Sequence, residues 1–318
     1  MTNPLVSIIV CTYNRADMLK ETMSSILAQS YRPVEIVVVD DGSTDNTGEV
    51  LAAYGDRIRY FRQENRGVAA ARTFACRQLA RGEYIAFHDD DDMMMPHRIT
   101  CLYEAMNRYP QAVLATGDWE LIDAQGKPSD RRVTFDIEGQ KGVPILIEDG
   151  YRAVMWPLLS PLPNATLFKR ADGESINWMD TRFSRSSDTD FFARLGKLGP
   201  IVYVPKAVTY YRRGHGQMWS NTTENRLLCE RNDFLLFEKH LNLSHGQKEM
   251  RARLRKRMLF TMKSIAYLSS IICKKRAEMV MADYAKRGLR LLGKKERLSY
   301  AWYVNARLPL RRVLKGKS

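Results

Sequence analysis

The N-terminal part of the chain alternates between short, continuously apolar runs and segments whose apolar residues recur every three or four positions. The apolar runs are Leu5 to Tyr13, Val34 to Val39 and the stretch that begins at Tyr84. Runs of this length without polar alternation predict strands that are buried on both faces. Because helical patterns lie between them, we expect parallel β-α-β units with right-handed crossovers, and hence an α/β fold.

The helical spacing is clearest after the first run, where Leu19 begins a stripe at i, i+3, i+4, i+7 and i+8 and Asn14 is placed to cap the helix. The pattern then predicts a polar helix to about residue 54, a strand at 57–62, a helix at 67–81, a helix at 96–109 and a strand at 113–117. Residues 123–163 are less regular, because Gly, Pro and charged residues are mixed there.

Polar clusters follow three of the predicted strands, at 12–14, 40–43 and 89–92. In parallel sheets ligands bind outside the carboxyl ends of the strands, so the three clusters together predict a pocket. Each cluster by itself is also compatible with a turn or a helix cap. Neither GxGxxG nor GxxxxGK[ST] follows the first strand, which argues against a dinucleotide site and a P-loop.

The third cluster consists of four consecutive carboxylates, Asp89 to Asp92, at the end of a strand. Such a run repels itself unless a cation lies beside it, and Mg²⁺ and Mn²⁺ prefer carboxylate oxygens. The run therefore predicts a metal site. The alternative is an acidic loop before a helix that starts near Pro96, with Asp92 close to the N-cap.

The charged residues are distributed unevenly between the two parts of the chain. The 318-residue chain has a net charge of +14, but residues 225–318 carry 24 Lys and Arg against 7 Asp and Glu, whereas residues 1–224 carry 26 against 29. A basic C-terminal region on a near-neutral body predicts contact with an anionic surface, and both membrane and nucleic acid remain open. The five cysteines show no CxxC spacing and the N-terminus lacks a signal pattern, so we expect a cytoplasmic protein.

Four ordered motifs resemble those of the family 2 glycosyltransferases. They are Cys11-Thr12-Tyr13-Asn14-Arg15, Val39-Asp40-Asp41-Gly42-Ser43-Thr44-Asp45, Asn65-Arg66-Gly67 with Ala71-Arg72, and the acidic run followed by Pro96. The resemblance covers roughly residues 5–211. It implies a GT-A fold, in which a Rossmann-like mixed sheet is flanked by helices, and the use of a nucleotide-sugar donor with a divalent metal ion, Mg²⁺ or Mn²⁺.

The resemblance also implies roles for individual residues. Thr12 and Asp41 would contact the nucleobase, and the nucleotide-binding residues implied by the motifs are Thr12, Tyr13, Asn14, Asp41, Asn65, Gly67, Arg72, Asp89 and Asp90. The DxD motif maps onto Asp89 to Asp91, with Asp91 as the direct metal ligand and Asp89 near the ribose or the metal. The family more often has Ser or Ala where this chain has Asp90, so the register of the motif is left open.

A second acidic segment runs from Ser186 to Leu195. On residue types alone, Asp188 near the start of a helix is a cap as readily as a catalytic group. The segment resembles the family's Glu-Asp-x-Asp-Leu-x-x-Arg-Leu motif, whose first Asp is the general base of inverting members, so the resemblance implies this role for Asp188. Ser187 stands where the family has Glu.

A strand at 201–205 leads to Tyr210-Tyr211-Arg212-Arg213-Gly214-His215, which is similar to the family's Tyr-Arg-x-His segment. Arg212 and Arg213 are candidates for contact with a diphosphate, and His215 is a candidate metal ligand. A solvated basic loop is the alternative.

Beyond residue 225 the resemblance ends. Leu254, Met258, Thr261, Ile265, Leu268 and Ile272 predict an amphipathic helix that packs on the catalytic body or on a second subunit. Lys263 and the short apolar window argue against a membrane span. Trp302 and the mixture of apolar and basic residues after it predict peripheral contact with an anionic membrane, with disorder or RNA binding as alternatives.

We therefore predict a catalytic domain at 1–224, with a nucleotide-binding half (1–118) and an acceptor half (119–224), and a basic helical region at 225–318. The predicted function is inverting, metal-dependent transfer of a sugar from a nucleoside-diphosphate sugar, UDP-sugar favoured, to a hydroxyl of a glycan or lipid-linked acceptor in cell-surface polysaccharide synthesis. The alternatives are a sugar-1-phosphate nucleotidyltransferase and a nucleic-acid-binding module. The oligomeric state stays open.

Overall fold

The computed structural model describes residues 3–135, 137, 142–156, 158–214, 222–272 and 274–307. The chain forms two compact units, residues 1–215 and 216–318. The first unit contains the strand ends that the sequence marked as a candidate pocket.

The first unit is a mixed sheet with helices. Its strands are β1 (Val6–Thr12), β2 (Val34–Asp40), β3 (Arg59–Arg62), β4 (Tyr84–Asp89), β5 (Met93–Met94), β6 (Leu114–Ile122), β7 (Pro128–Val133), β8 (Ile145–Ile147), β9 (Thr166–Lys169) and β10 (Ile201–Arg212). Its helices are α1 (Ala16–Leu27), α2 (Thr47–Ala52), α3 (Val68–Phe74), α4 (Arg98–Arg108), α5 (Gly150–Met155), α6 (Arg170–Ser175) and α7 (Ser187–Leu195).

The strands lie in the order β3-β2-β1-β4-β9-β6-β10-β5, with β7 beside β6 and β8 beside β10. The first four of these strands are mutually parallel, and β9 is antiparallel to both β4 and β6. The register pairs Thr12 with Asp40 and Cys11 with Asp89. The three polar clusters therefore lie side by side at the carboxyl ends of β1, β2 and β4.

The predicted parallel β-α-β units are confirmed, and apolar burial explains them. Strand β1 is buried on both faces: Ile8 and Val10 belong to the main core with Leu19 of α1, and Ile9 is equally inaccessible on the other face. This is why the run shows no polar alternation.

Several predicted boundaries are wrong. The strand expected over 113–117 extends from Leu114 to Ile122. The helix expected over 67–81 is regular only to Phe74 and continues as a wider turn over 75–79. Strand β10 does not stop near Pro205 but continues to Arg212, because register shifts between Val204 and Thr209 accommodate the proline, which has no N–H to donate.

The second unit is helical. Its helices are α8 (Thr223–Leu243), α9 (Lys248–Ile272), α10 (Lys274–Leu291) and α11 (Lys294–Arg307). The predicted amphipathic helix is confirmed as part of α9, which buries Leu254, Met258 and Ile265. Among the described residues no helix combines the length and the apolar character needed to cross a membrane. Residues 308–318 lie outside the described residues, so the membrane contact of the tail stays a prediction.

Glu35 connects neighbouring strands at the end of the sheet opposite the polar clusters, near the start of β2. Its Oε1 accepts hydrogen bonds from the Ser7 hydroxyl (2.5 Å) and the backbone N–H of Arg81 (2.6 Å), and its Oε2 accepts one from Arg59 Nη1 (3.0 Å). Burial opposes ionisation of Glu35, but the hydrogen bonds from Ser7, Arg81 and Arg59 outweigh it, so the pKa of Glu35 is lowered.

We expect Glu35→Gln to destabilise the chain by about 1–3 kcal/mol near pH 7, because a charged acceptor of several hydrogen bonds is lost. Since the pKa is lowered by folding, the contribution of Glu35 is present above its ordinary value of 4.5 and is lost as the pH falls through the folded pKa. Urea unfolding at pH 7 and at acid pH measures the difference. Glu83→Gln, at an exposed neighbour, is the control. A stability gap between wild type and Glu35→Gln that does not shrink with falling pH would contradict this account.

Candidate active site

Residues Asp89 to Asp92, here called the acid loop, follow β4 directly. The side chains of Asp89 and Asp91 are 31% and 19% exposed, and Asp90 is also partly exposed. Asp92 is only 1% exposed, and its carboxylate accepts hydrogen bonds from the Arg212 backbone N–H (2.7 Å) and from the side-chain amide of Asn164. Asp92 therefore anchors the loop, and the accessible carboxylates are the other three.

The acid loop concentrates negative charge. Burial, followed by repulsion from Asp91, raises the pKa of Asp90 to about 7. Burial and the charge of Asp91 also raise the pKa of Asp92 well above its ordinary value. The pKa of Asp89 is raised by burial, against the favourable charge of Arg72, with further repulsion from Asp91 and Asp188. Burial and mutual repulsion thus both oppose ionisation of the carboxylates in this loop.

Two arginines lie against the accessible carboxylates. Arg72, which is buried, is ion-paired with Asp89, and its guanidinium lies over the Phe87 ring at 5.2 Å from the centroid. Arg15 is ion-paired with Asp91 at 3.4 Å. The predicted nucleotide-binding residue Arg72 is thus placed directly beside the DxD segment.

Asp188 lies in the first turn of α7 and is partly exposed. Its charge contributes to the raised pKa of Asp89, so the structure brings the second acidic segment to the acid loop. Buried Asp190 pairs with Arg194 Nε (2.8 Å) on the same helix and orients its guanidinium, which fixes α7 by donating to the Trp178 carbonyl (2.6 Å).

Asp41 organises the loop that carries the third motif. Its Oδ1 accepts hydrogen bonds from the Gln63 side chain (2.7 Å) and the Arg66 N–H (3.0 Å), and its Oδ2 accepts one from the Gly67 N–H (2.7 Å). Gly67 has a φ of +84°, a conformation that favours glycine. The structure thus brings Asp41 and Gly67 into contact, and Asn65 lies on the same loop with an exposed side chain.

The end of β1 supplies the first motif. Thr12 is buried, and its carbonyl accepts a hydrogen bond from the Asp41 N–H at 2.9 Å. Tyr13 is 46% exposed, and its backbone N–H lies 3.4 Å from Asp90 Oδ2. Both residues therefore lie at the shared strand edge, with the Tyr13 ring accessible.

The predicted helix cap by Asn14 is wrong. Asn14 adopts a left-handed φ of +53°, and its side-chain oxygen accepts a hydrogen bond from the Thr44 N–H (2.7 Å) instead. The N–H of Ala16 at the start of α1 is bound by Asp45 Oδ2 (3.2 Å). Asn14 thus connects the first two motifs to each other, and a residue distant in sequence caps the helix.

The motif that contains Cys11 implied no role for this residue, which the structure places in the same cluster. Cys11 is partly exposed, and burial raises the pKa of its thiol to about 12, with the charges of Arg72, Asp90 and Asp41 also acting on it. Its thiol is therefore neutral at physiological pH. A cysteine in a buried strand is usually a small apolar residue, which is why sequence reasoning passed over it.

The end of β10 differs from the predicted basic loop. Arg212 is buried, and its guanidinium donates to Glu21 Oε2 (2.6 Å) and to the Ala124 carbonyl (3.1 Å), so it is not a solvated side chain. Arg213 is exposed and lies over the Tyr211 ring. His215 lies outside the described residues.

The described residues contain no group of three or more His, Cys, Asp and Glu side chains arranged to hold a metal ion. Mg²⁺ is usually held by one or two carboxylates together with substrate phosphates, so a complete protein cage is not required. Asp89 and Asp91 are partly exposed, lie on the same loop and repel each other. Their carboxylate oxygens fit a hard divalent cation.

Comparison with known proteins agrees with the motifs. Residues 7–151 match the family model described as glycosyl transferase family 2. The uncharacterized glycosyltransferase RT0329 of Rickettsia typhi is 30% identical over 241 residues, which cover 71% of this chain and 69% of that protein. The chain belongs to the family 2 glycosyltransferases. In three other Rickettsia relatives the match spans only 20 to 31% of their length. Membership in this family counts against the nucleotidyltransferase alternative.

Solved structures show the fold of this family 2 member. The crystal structure of S. aureus TarS 1-349 in complex with UDP-GlcNAc aligns with a TM-score of 0.66 at 17% identity, over 94% of this chain and 86% of that one. Mannosyltransferase PcManGT from Pyrobaculum calidifontis, in complex with GDP-Man and Mn²⁺, aligns with a TM-score of 0.54 at 19% identity, over 100% of this chain and 89% of that one. The predicted α/β fold of the GT-A type is confirmed.

The position of α7, and so of Asp188, depends on close contact with α5. A Cβ at Gly196 would lie 2.5 Å from the Gly150 carbonyl oxygen. We expect Gly196→Ala to lower stability by about 1–3 kcal/mol, because the helices must separate. Gly48→Ala in α2 is the matched control: its Cβ would meet only the Tyr60 hydroxyl, at 3.5 Å, so a neutral effect or a gain of up to about 1 kcal/mol is expected. Thermal unfolding followed by circular dichroism compares the two, and equal melting temperatures would refute the close-contact argument.

Proposed function

We propose that the chain transfers a sugar from a nucleoside-diphosphate sugar, UDP-sugar favoured, to a hydroxyl of a glycan or lipid-linked acceptor, with inversion at the anomeric carbon. The observation that carries the proposal is the cluster of motif residues at the end of the sheet, where Arg72 pairs with Asp89 and Arg15 pairs with Asp91, with Asp188 close enough for its charge to act on Asp89. A carboxylate of the acceptor half thus shares one site with the acid loop. The family relationship and the UDP-GlcNAc bound by TarS support the substrate class.

The nucleoside would bind at the ends of β1 and β2. Asp41 holds the Asn65–Gly67 loop in place, and Tyr13 presents an exposed aromatic ring at the same edge. A ring of this kind can stack on a base without regard to its identity. Thr12 and Asn14 contribute mainly by fixing the two strand-end loops to each other.

Asp91 and Asp89 would hold Mg²⁺ or Mn²⁺ together with the donor diphosphate. When bound there, the cation would stabilise the negative charge that develops on the leaving nucleoside diphosphate. Arg15 and Arg72 are ion-paired with these two carboxylates, and both are within reach of a diphosphate that binds the same loop.

Asp188 would accept the proton of the acceptor hydroxyl. In inverting glycosyl chemistry a carboxylate deprotonates the nucleophile on the face opposite the leaving group. Asp188 suits this role because it is partly exposed, while its helix is fixed by Arg194, whose guanidinium donates to the carbonyls of Ile176 and Trp178. A rigid helix and an accessible carboxylate are what a positioned base requires.

We expect Asp188→Asn to bind UDP as the wild type does but to lose turnover by about 10² to 10⁴, the range typical of removing a general base. Calorimetry measures UDP binding, and initial rates with a UDP-sugar measure turnover. Asp56→Asn, an exposed carboxylate on the surface, is the control. A product with retained anomeric configuration, seen by NMR, would rule out this mechanism.

We expect Asp91→Asn to abolish the Mn²⁺-dependent part of UDP binding and to leave the melting temperature close to that of wild type, because Asp91 is a partly exposed side chain. In contrast, Asp92→Ala should lower the stability by about 1–3 kcal/mol, because the buried N–H of Arg212 and the side-chain amide of Asn164 lose their acceptor. Calorimetry with and without Mn²⁺ provides the binding data. Unchanged metal-dependent affinity in Asp91→Asn would remove Asp91 from the site.

A further inference from the structure

Arg212, the last residue of β10, contacts the acid loop at two points. Its backbone N–H donates to Asp92 Oδ1 at 2.7 Å, and its Nε donates to the Asp91 carbonyl at 2.8 Å. Arg212 is only 1% exposed. Its guanidinium therefore fixes the backbone of Asp91 from the protein interior.

The other end of the guanidinium is fixed by two further elements. Nη2 donates to Glu21 Oε2 of α1 at 2.6 Å, and Nη1 donates to the Ala124 carbonyl, which follows β6, at 3.1 Å. Because a guanidinium presents its donors in a rigid planar fork, these contacts determine its orientation. Arg212 thus ties the backbone of Asp91 to α1 and to the end of β6.

Helix α1 holds the same loop at a second residue. The Thr22 hydroxyl lies 3.0 Å from the Asp90 carbonyl and 2.8 Å from the Asp92 carbonyl. Together, Thr22 and Arg212 engage the three successive carbonyls of Asp90, Asp91 and Asp92. A loop whose side chains repel one another is thereby held by its backbone, and the carboxylates of Asp89 and Asp91 are left accessible.

We propose that Arg212 is a positioning residue that sets the direction of the Asp91 carboxylate toward the metal and the donor diphosphate, and that it is not itself a ligand of the diphosphate. This inference rests on the proposed function, in which Asp91 holds the metal. It differs from the sequence-based expectation, in which Arg212 was a candidate for contact with the diphosphate or a residue of a solvated basic loop. The assignment follows from burial of the side chain and from the hydrogen bonds of its guanidinium to Asp91, Ala124 and Glu21.

Lysine is the informative substitution. A single ammonium group keeps the charge next to Glu21 but cannot bridge Glu21, Ala124 and Asp91 with the geometry of a planar fork. Arg59→Lys is the matched control. Arg59 is also partly buried and bridges a carboxylate, Glu35, and a backbone carbonyl, Leu79, at the opposite end of the sheet.

The experiment measures UDP affinity by calorimetry in Mn²⁺ and in EDTA, together with melting temperature, for wild type, Arg212→Lys and Arg59→Lys. We expect Arg212→Lys to bind UDP at least tenfold more weakly in Mn²⁺ and within twofold of wild type in EDTA. Arg59→Lys should lower the melting temperature and leave both affinities within twofold of wild type.

The outcomes separate the competing roles. An Arg212→Lys variant that loses affinity equally in Mn²⁺ and in EDTA would overturn the proposal, since that result marks direct contact with the diphosphate or a general loss of structure. An Arg212→Lys variant with full Mn²⁺-dependent affinity would overturn it as well and leave the proposed function intact. A wild-type chain whose UDP affinity does not depend on Mn²⁺ would refute the metal dependence of the proposed function and the role of Arg212 with it.

Discussion

Repulsion among the four carboxylates of the acid loop is the constraint on which the rest of the site depends. The loop lies at the end of a buried strand, where burial and mutual repulsion raise the pKa of Asp89, Asp90 and Asp92. Unpaired negative charge in such a place destabilises a fold unless positive groups and hydrogen-bond donors compensate for it. The surrounding elements supply this compensation, and their arrangement determines which carboxylates stay accessible.

The arginines around the loop act in two different ways. Arg15 and Arg72 are ion-paired with the carboxylates of Asp91 and Asp89, so they lie where a ligand would bind. Arg212 contacts the loop through the Asp91 carbonyl and the Asp92 carboxylate. Arginines around one acidic loop can therefore pair with its carboxylates or hold its backbone.

Sequence reasoning reached the fold and the grouping of the polar clusters because both depend on local patterns. Continuous apolar runs marked β1, β2 and β4, and parallel pairing brought the polar clusters at their ends together. Asp188 was found only through a motif, since a helix-capping Asp has the same local sequence. The approach of α7 to the acid loop depends on long-range packing such as the contact between Gly150 and Gly196.

The hydrogen-bond partners of individual polar side chains could not be predicted either, because these contacts also join residues that are distant in sequence. Arg212 and Glu21 are 191 residues apart in sequence, and no local pattern relates them. Asn14 is placed like a helix cap, but its left-handed backbone directs the side-chain oxygen to Thr44, 30 residues away. Propensity rules describe an isolated segment, whereas the conformations of Asn14 and Arg212 are determined by contacts that exist only after the sheet has formed.

The two ends of the strands show how the neighbours of a carboxylate determine its pKa and its role. Glu35 at one end has enough donors to overcome burial, and its pKa is lowered. Asp90 at the other end lies beside like charges, and its pKa is raised to about 7. A raised pKa is not sufficient evidence of function, because Asp92 has one and yet is almost inaccessible and fully engaged by Arg212 and Asn164. What distinguishes Asp89 and Asp91 is access, because both side chains are partly exposed and each is paired with an arginine, Arg72 or Arg15.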